Sequence, residues 1–100
     1  MSSLLSPLDL SPPYSVEGTT SSTVGSPTPI SIRGNVFEIV VWNRSADYDM
    51  YVSLDLGSTW NRVPADSTIS IFTGSLADPV ILVKSDGASQ NYVIFYRLRL

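Results

Sequence analysis

The chain has no cysteine and no histidine, and only six of its 100 residues are cationic. Without cysteine there are no disulfides or thiolate metal sites to reinforce a small core. Without either residue the usual nucleophile–base pairs of covalent catalysis are missing. The cations are Arg33, Arg44, Arg62, Lys84, Arg97 and Arg99. Apart from the last pair they are scattered, so no basic stripe follows a phosphate backbone and no nucleic-acid partner is expected. Nine acidic residues leave a net charge of -3. No apolar run approaches the ~20 residues of a membrane helix, and none is expected to cross a bilayer. The start, Met1-Ser2-Ser3-Leu4-Leu5-Ser6-Pro7, lacks the positive and apolar regions of a secretory signal. Asn43-Arg44-Ser45 therefore reads as a chance match to a glycosylation sequon.

A chain of this length forms one domain and buries only about 60% of its unfolded surface. Assembly onto something larger is the remaining common source of buried area, which points toward an assembly component.

Two regions differ in kind. Residues 1 to 33 hold five of the seven prolines (Pro7, Pro12, Pro13, Pro27, Pro29) among many serines and threonines. Proline at this density excludes helix and central strand and leaves extended backbone. Gly18 to Pro29 reads as linker. Leu4, Leu5, Leu8, Leu10, Tyr14 and Val16 lie on a segment too short and broken for a core of its own. Residues 1–33 are accordingly expected to be an extended arm that docks on a partner. Deleting residues 1–16 is expected to leave residues 34–100 folded.

From Gly34 onward the pattern is β. Strands are expected at 36–42, 50–54, 59–63, 68–72, 80–84 and 91–100, separated by Gly, Asp, Ser and Pro turns. Thr73-Gly74-Ser75 is expected to end the fourth. Val80-Ile81-Leu82-Val83 is a continuous apolar run, expected to be covered on both faces. Tyr92, Ile94, Tyr96, Leu98 and Leu100 share one face of the last strand, and Arg97 and Arg99 are expected to protect it as a sheet edge. Six short strands and no helical periodicity predict an all-β fold, a compact antiparallel sandwich or small barrel.

Ser53-Leu54-Asp55-Leu56-Gly57-Ser58-Thr59-Trp60 matches S-x-D-x-G-x-T-W. The octet resembles the Asp-box of sialidases and other β-rich proteins. That resemblance implies a hairpin and no hydrolysis, because the box in sialidases is a fold element away from the catalytic site. Physically, Asp55 accepts turn N–H groups and Gly57 allows a positive φ. Ser53 and Thr59 flank the turn as strand residues, and Trp60 supplies apolar surface beneath it.

Other chemistry is sparse. Asp47 and Asp49, with Asp55 near in sequence, are the only carboxylates clustered enough to weigh as calcium ligands. No calcium spacing is present, and neither metal nor cofactor is expected. Trp42, Tyr48, Tyr51, Trp60, Tyr92 and Tyr96 raise a sugar-stacking platform. Trp60 is accounted for by the box, and Tyr92 and Tyr96 by the apolar face of the last strand. No phosphate-binding glycine loop occurs, and no enzyme activity is expected.

The runs Tyr51 to Trp60, Val63 to Ile71, Val83-Lys84-Ser85-Asp86-Gly87 and Tyr92 to Tyr96 resemble small accessory proteins of tailed-bacteriophage virions. The resemblance covers residues 50 to 96. It implies a structural protein on the capsid exterior, made in the host cytoplasm. In the decoration, or cement, type, the compact domain bridges major capsid subunits, with a trimer favoured, while the arm lies along the shell. A head–tail or tail accessory protein is the main alternative. A carbohydrate-binding module for host recognition is the other.

Overall fold

The computed structural model describes residues 9–100. Eight strands run in chain order: β1 (Tyr14–Thr19), β2 (Thr28–Ser31), β3 (Asn35–Asn43), β4 (Met50–Ser53), β5 (Asn61–Val63), β6 (Thr68–Ala77), β7 (Val80–Ser85) and β8 (Asn91–Leu98). They form two four-stranded antiparallel sheets, ordered β1-β8-β3-β6 and β2-β7-β4-β5. The fold is an all-β sandwich.

Alternation explains the packing. In β7 the side chains of Ile81 and Val83 are fully buried while Val80, Leu82 and Lys84 are only half-buried. Ile39 and Val41 of β3, Met50 and Val52 of β4 and Ile94 of β8 complete the centre of the core. Burying an aliphatic side chain of this size is worth about 1.5–3 kcal/mol, so these positions supply the main favourable term. The run Val80–Val83 therefore has one buried face, not two. Its outer face is partly covered by the loop after β4, where a Cβ on Gly57 would lie 3.9 Å from Leu82 Cδ1.

The arm expectation needs correction. Tyr14–Thr19 pairs residue for residue with Tyr96–Asn91, and Thr28–Ser31 with Val83–Val80. Much of the expected arm and linker is thus sheet, which is why eight strands form where six were expected. Proline is tolerated because Pro29 sits on an edge strand, and Pro12 and Pro13 precede β1. Before them Leu10 bridges Arg99, Ser11 N donates to Leu98 O at 2.8 Å, and Leu100 N donates to Asp9 O at 2.7 Å. Tyr14 stacks against Tyr96 at 5.4 Å, and Val16 stands opposite Ile94. Leu4, Leu5 and Leu8 lie outside the described residues.

Three smaller differences concern the position and extent of strands. β8 lies between β1 and β3, so Arg97 and Arg99 do not protect an edge. The strand ends at Leu98, and Leu100 is 81% exposed. β6 runs through Thr73-Gly74-Ser75 to Ala77, because irregular register with β3 absorbs the glycine there.

One buried polar group organises a whole end of the sandwich. Asn43 is fully buried, and its amide donates to Tyr48 O at 2.8 Å, Val63 O at 3.1 Å and Pro64 O at 3.3 Å. Its Oδ1 accepts Ser45 N at 2.9 Å. The side chain thereby ties the loop after β3 to the turn after β5.

Two outcomes are expected. Asn43→Ala should lower unfolding free energy in urea by about 2–4 kcal/mol, since a buried group left unpaired costs about 1–3 kcal/mol. Removing residues 1–19 should abolish the sharp thermal transition, because it strips β1 from β8. Retention of the parent's transition by that truncation would contradict the pairing.

Candidate functional site

The densest local constellation is the loop between β4 and β5. Ser53, the last residue of β4, donates from Oγ to Asp55 Oδ1 at 2.7 Å and accepts Gly57 N at 2.8 Å. Asp55 Oδ1 also accepts Thr59 N at 2.9 Å, and Oδ2 accepts Thr59 Oγ1 at 2.6 Å. Gly57 has φ 94°. Thr59 and Trp60 stand just before β5 rather than within it. Ser53, Asp55, Gly57 and Thr59 thus form one hydrogen-bonded turn.

These bonds act on the carboxyl. The Thr59 hydroxyl, then the Thr59 amide and the Ser53 hydroxyl, stabilise its charged form and hold Asp55 at about 2, against an ordinary 3.8. A donor-saturated carboxylate cannot serve as a proton carrier near neutral pH. The geometry is that of a brace.

Trp60 leaves this turn over the outer face of the β2-β7-β4-β5 sheet. There Lys84 Nζ lies 4.1 Å from its ring centroid. Tyr51, paired with Lys84 across β4 and β7, points its hydroxyl to Asp86 Oδ2 at 3.4 Å. Partial burial pushes the Tyr51 phenol upward, with the Asp86 carboxylate adding to the shift. Gly25 and Ser85 close an open cleft of about 360 Å³ around these four side chains. The sequence named Tyr51 and Trp60 as aromatics and Lys84 and Asp86 only within a resembling run; the register of β4 with β7 and the Gly25 N to Ser85 O hydrogen bond bring them together.

The other aromatics do not converge on this cleft. Tyr92 is 4% exposed and belongs to the core, as does part of Tyr96. Trp42 carries Arg44 above its ring at 5.1 Å on the other sheet, and Tyr48 covers Gly87. The three acidic candidates are likewise separate in role. Asp49 binds Arg62 Nε at 2.7 Å and Ala65 N at 3.1 Å, and the Arg62 hydrogen bond lowers its carboxyl. Among the described residues no three of His, Cys, Asp and Glu gather as metal ligands.

No family model matches this chain, and no curated protein matches it. Among solved structures it is weakly similar to the crystal structure of the STIV MCP, a major capsid protein. The identity is 13% and the TM-score 0.36, over 89% of this chain and 49% of the other. The chain spans about half the length of the capsid protein it matches.

Because the folded Asp55 lies below its unfolded value, its contribution to stability is present above pH ~4 and is lost as pH falls toward 2. Asp55→Asn should therefore lower the melting temperature at pH 7 and flatten its decline between pH 4 and 2. Equal acid profiles for parent and variant would contradict the brace.

Proposed function

We propose that this chain is a non-enzymatic structural protein of a virion, one that decorates and stabilises a phage capsid by bridging its subunits. The observation that carries the reading is where the N-terminal segment departs. Among the described residues, every side chain of the buried core cluster comes from Ile32 onward. The backbone carbonyl of Asp9 is tied to the last amide, Leu100 N. Residues 1–8, with Leu4, Leu5 and Leu8, precede this point in the sequence and carry the apolar side chains expected of an attachment arm. A self-sufficient domain with an apolar lead-in is a layout suited to attachment.

The mechanism is mechanical. Arm leucines and an end of the domain bury against the major capsid protein or another virion protein, and binding to the assembled form stabilises it by mass action. Association of copies, with a trimer favoured by the resemblance, multiplies the attachment through valency. No cofactor, metal, nucleic acid or membrane enters this mechanism, and the protein acts on the capsid exterior.

A head–tail or tail accessory role uses the same layout on another surface. The carbohydrate-binding reading rests on the Tyr51–Trp60 cleft. It is the weaker reading, because the Lys84 ammonium lies over the Trp60 ring that a sugar would stack on.

Quantitative mass spectrometry of purified particles distinguishes these roles. Copies in proportion to the capsid shell are expected. A handful per particle would assign the chain to the connector or tail, and absence from particles would overturn the virion reading.

A further inference from the structure

Four strands border the two sheets, and three of them resist pairing with another chain. β1 carries Glu17 and follows Pro12 and Pro13, β2 holds Pro29 within its four residues, and β5 has only three residues, one of them Arg62. β6 carries neither charge nor proline over its ten residues, Thr68–Ala77. Among the described residues no strand pairs with its outer side. Its two irregularities against β3 fall between Ser70 and Leu76, so Thr68, Ile69 and Ser70 pair in unbroken register with Trp42, Val41 and Val40.

Backbone geometry identifies the open groups. Asn43 N donates to Ser67 O at 2.9 Å. In an antiparallel ladder this bond flanks the pair Trp42–Thr68, and hydrogen-bonded and non-bonded pairs alternate from there. Ile69 therefore turns its amide and carbonyl to β3, while Thr68 and Ser70 turn theirs outward. The Ile69 side chain stands opposite the fully buried Val41, on the core face, yet it is 36% exposed. The sandwich is thus open along this flank, where the nearest strand of the other sheet is the three-residue β5.

We propose that this edge binds a second copy of the chain, β6 against β6 in antiparallel pairing about a twofold axis at Ile69. The row of backbone groups calls for a strand, and this register makes the chain its own complement. Thr68 of each copy opposes Ser70 of the other, so every outward N–H and C=O of these residues finds a partner. The two Ile69 side chains meet on the core face, each covering the other's exposed flank. Both inner faces stay on the same side, and two four-stranded sheets join into one. Charge favours the same occupant. Copies of a chain with net charge -3 repel one another, and β6 lets them approach without bringing charged side chains of the paired strands together. Asp66, the last charge before β6, falls at opposite ends of the pair in the two copies. The inference rests on the fold and stands apart from the virion reading, to which it contributes a twofold pair where the resemblance favours a trimer.

The chain has no cysteine, so single-cysteine variants report the register directly. Opposed residues of a non-hydrogen-bonded antiparallel pair lie about 4.5 Å apart at Cα, within disulfide range. With oxidised glutathione as the oxidant, Ile69→Cys should form a linked dimer about ten-fold faster than Thr73→Cys, whose position lies more than ~20 Å from its counterpart in this register. Thr73 is exposed on the same strand, so it controls for random collision. Sedimentation equilibrium of the full parent chain at up to ~1 mM should show a reversible dimer, a weak one given so few contacts. Ile69→Lys, which sets like charges against each other on the axis, should remain monomeric while keeping a cooperative thermal transition. Ser15→Lys, on the edge of β1, should dimerise as the parent does. Equal cross-linking of the two cysteine variants, a monomeric parent at ~1 mM, or dimers that survive Ile69→Lys would each overturn the proposal. If Ile69→Lys left self-association intact but removed the chain from purified particles, the edge would serve another protein's strand and the proposal would fall. Absence of the parent from particles, with its dimer intact, would overturn the virion reading alone.

Discussion

The buried amide of Asn43 is the contact on which one end of the molecule depends. It satisfies carbonyls from Tyr48, Val63 and Pro64 and accepts the amide of Ser45. Its two amide hydrogens serve three acceptors. Irregular loops leave backbone groups without ladder partners, and burying such groups is costly unless something bonds to them. Asn43 solves that problem for two loops at once, at the junction where the chain leaves one sheet for the other. The opposite end is organised by the same logic with a different side chain. There Asp55 gathers Thr59 and Ser53, and the turn is rigid enough to hold a leucine in a left-handed conformation.

Between the two braces the sandwich is ordinary alternation, and alternation was readable. Met50 and Val52, or Ile94 with Tyr92, Tyr96 and Leu98, sit on the face their spacing assigns. The Asp-box turn was readable too, because all its partners lie within seven residues of one another. What escaped was set by partners distant in the chain. β1 follows Pro12 and Pro13 and holds Gly18, β2 contains Pro29, and they are strands because β8 and β7 offer them free edges. Gly18 reads as linker, yet it sits opposite Tyr92, whose hydroxyl would lie 2.5 Å from any Cβ there. Its small size is a packing requirement.

The candidate sites divide the same way. Asn43 looks like a turn former, and nothing local reveals that Val63 and Pro64 will close over it. The cleft at Tyr51 joins residues from three separate segments, and no local spacing anticipates it. A turn whose chemistry is local can be read from a motif. A site built by register cannot.

The pairing of β1 with β8 has a consequence for how the domain comes into being. Tyr14–Thr19 finds its partner only in Tyr96–Asn91, roughly eighty residues later. Their sheet is finished only when both ends of this span are available, and the emerging chain must hold its first strand unpaired until then. Folds dominated by such distant pairings form slowly, because loop closure is opposed by entropy before any contact rewards it. Newly made chains therefore pass through a period with β1 unpaired, and an unpaired strand is itself a template for another chain's strand. Proline on both sides of the waiting strand, at Pro12, Pro13 and Pro27, limits how far any mispairing there can spread.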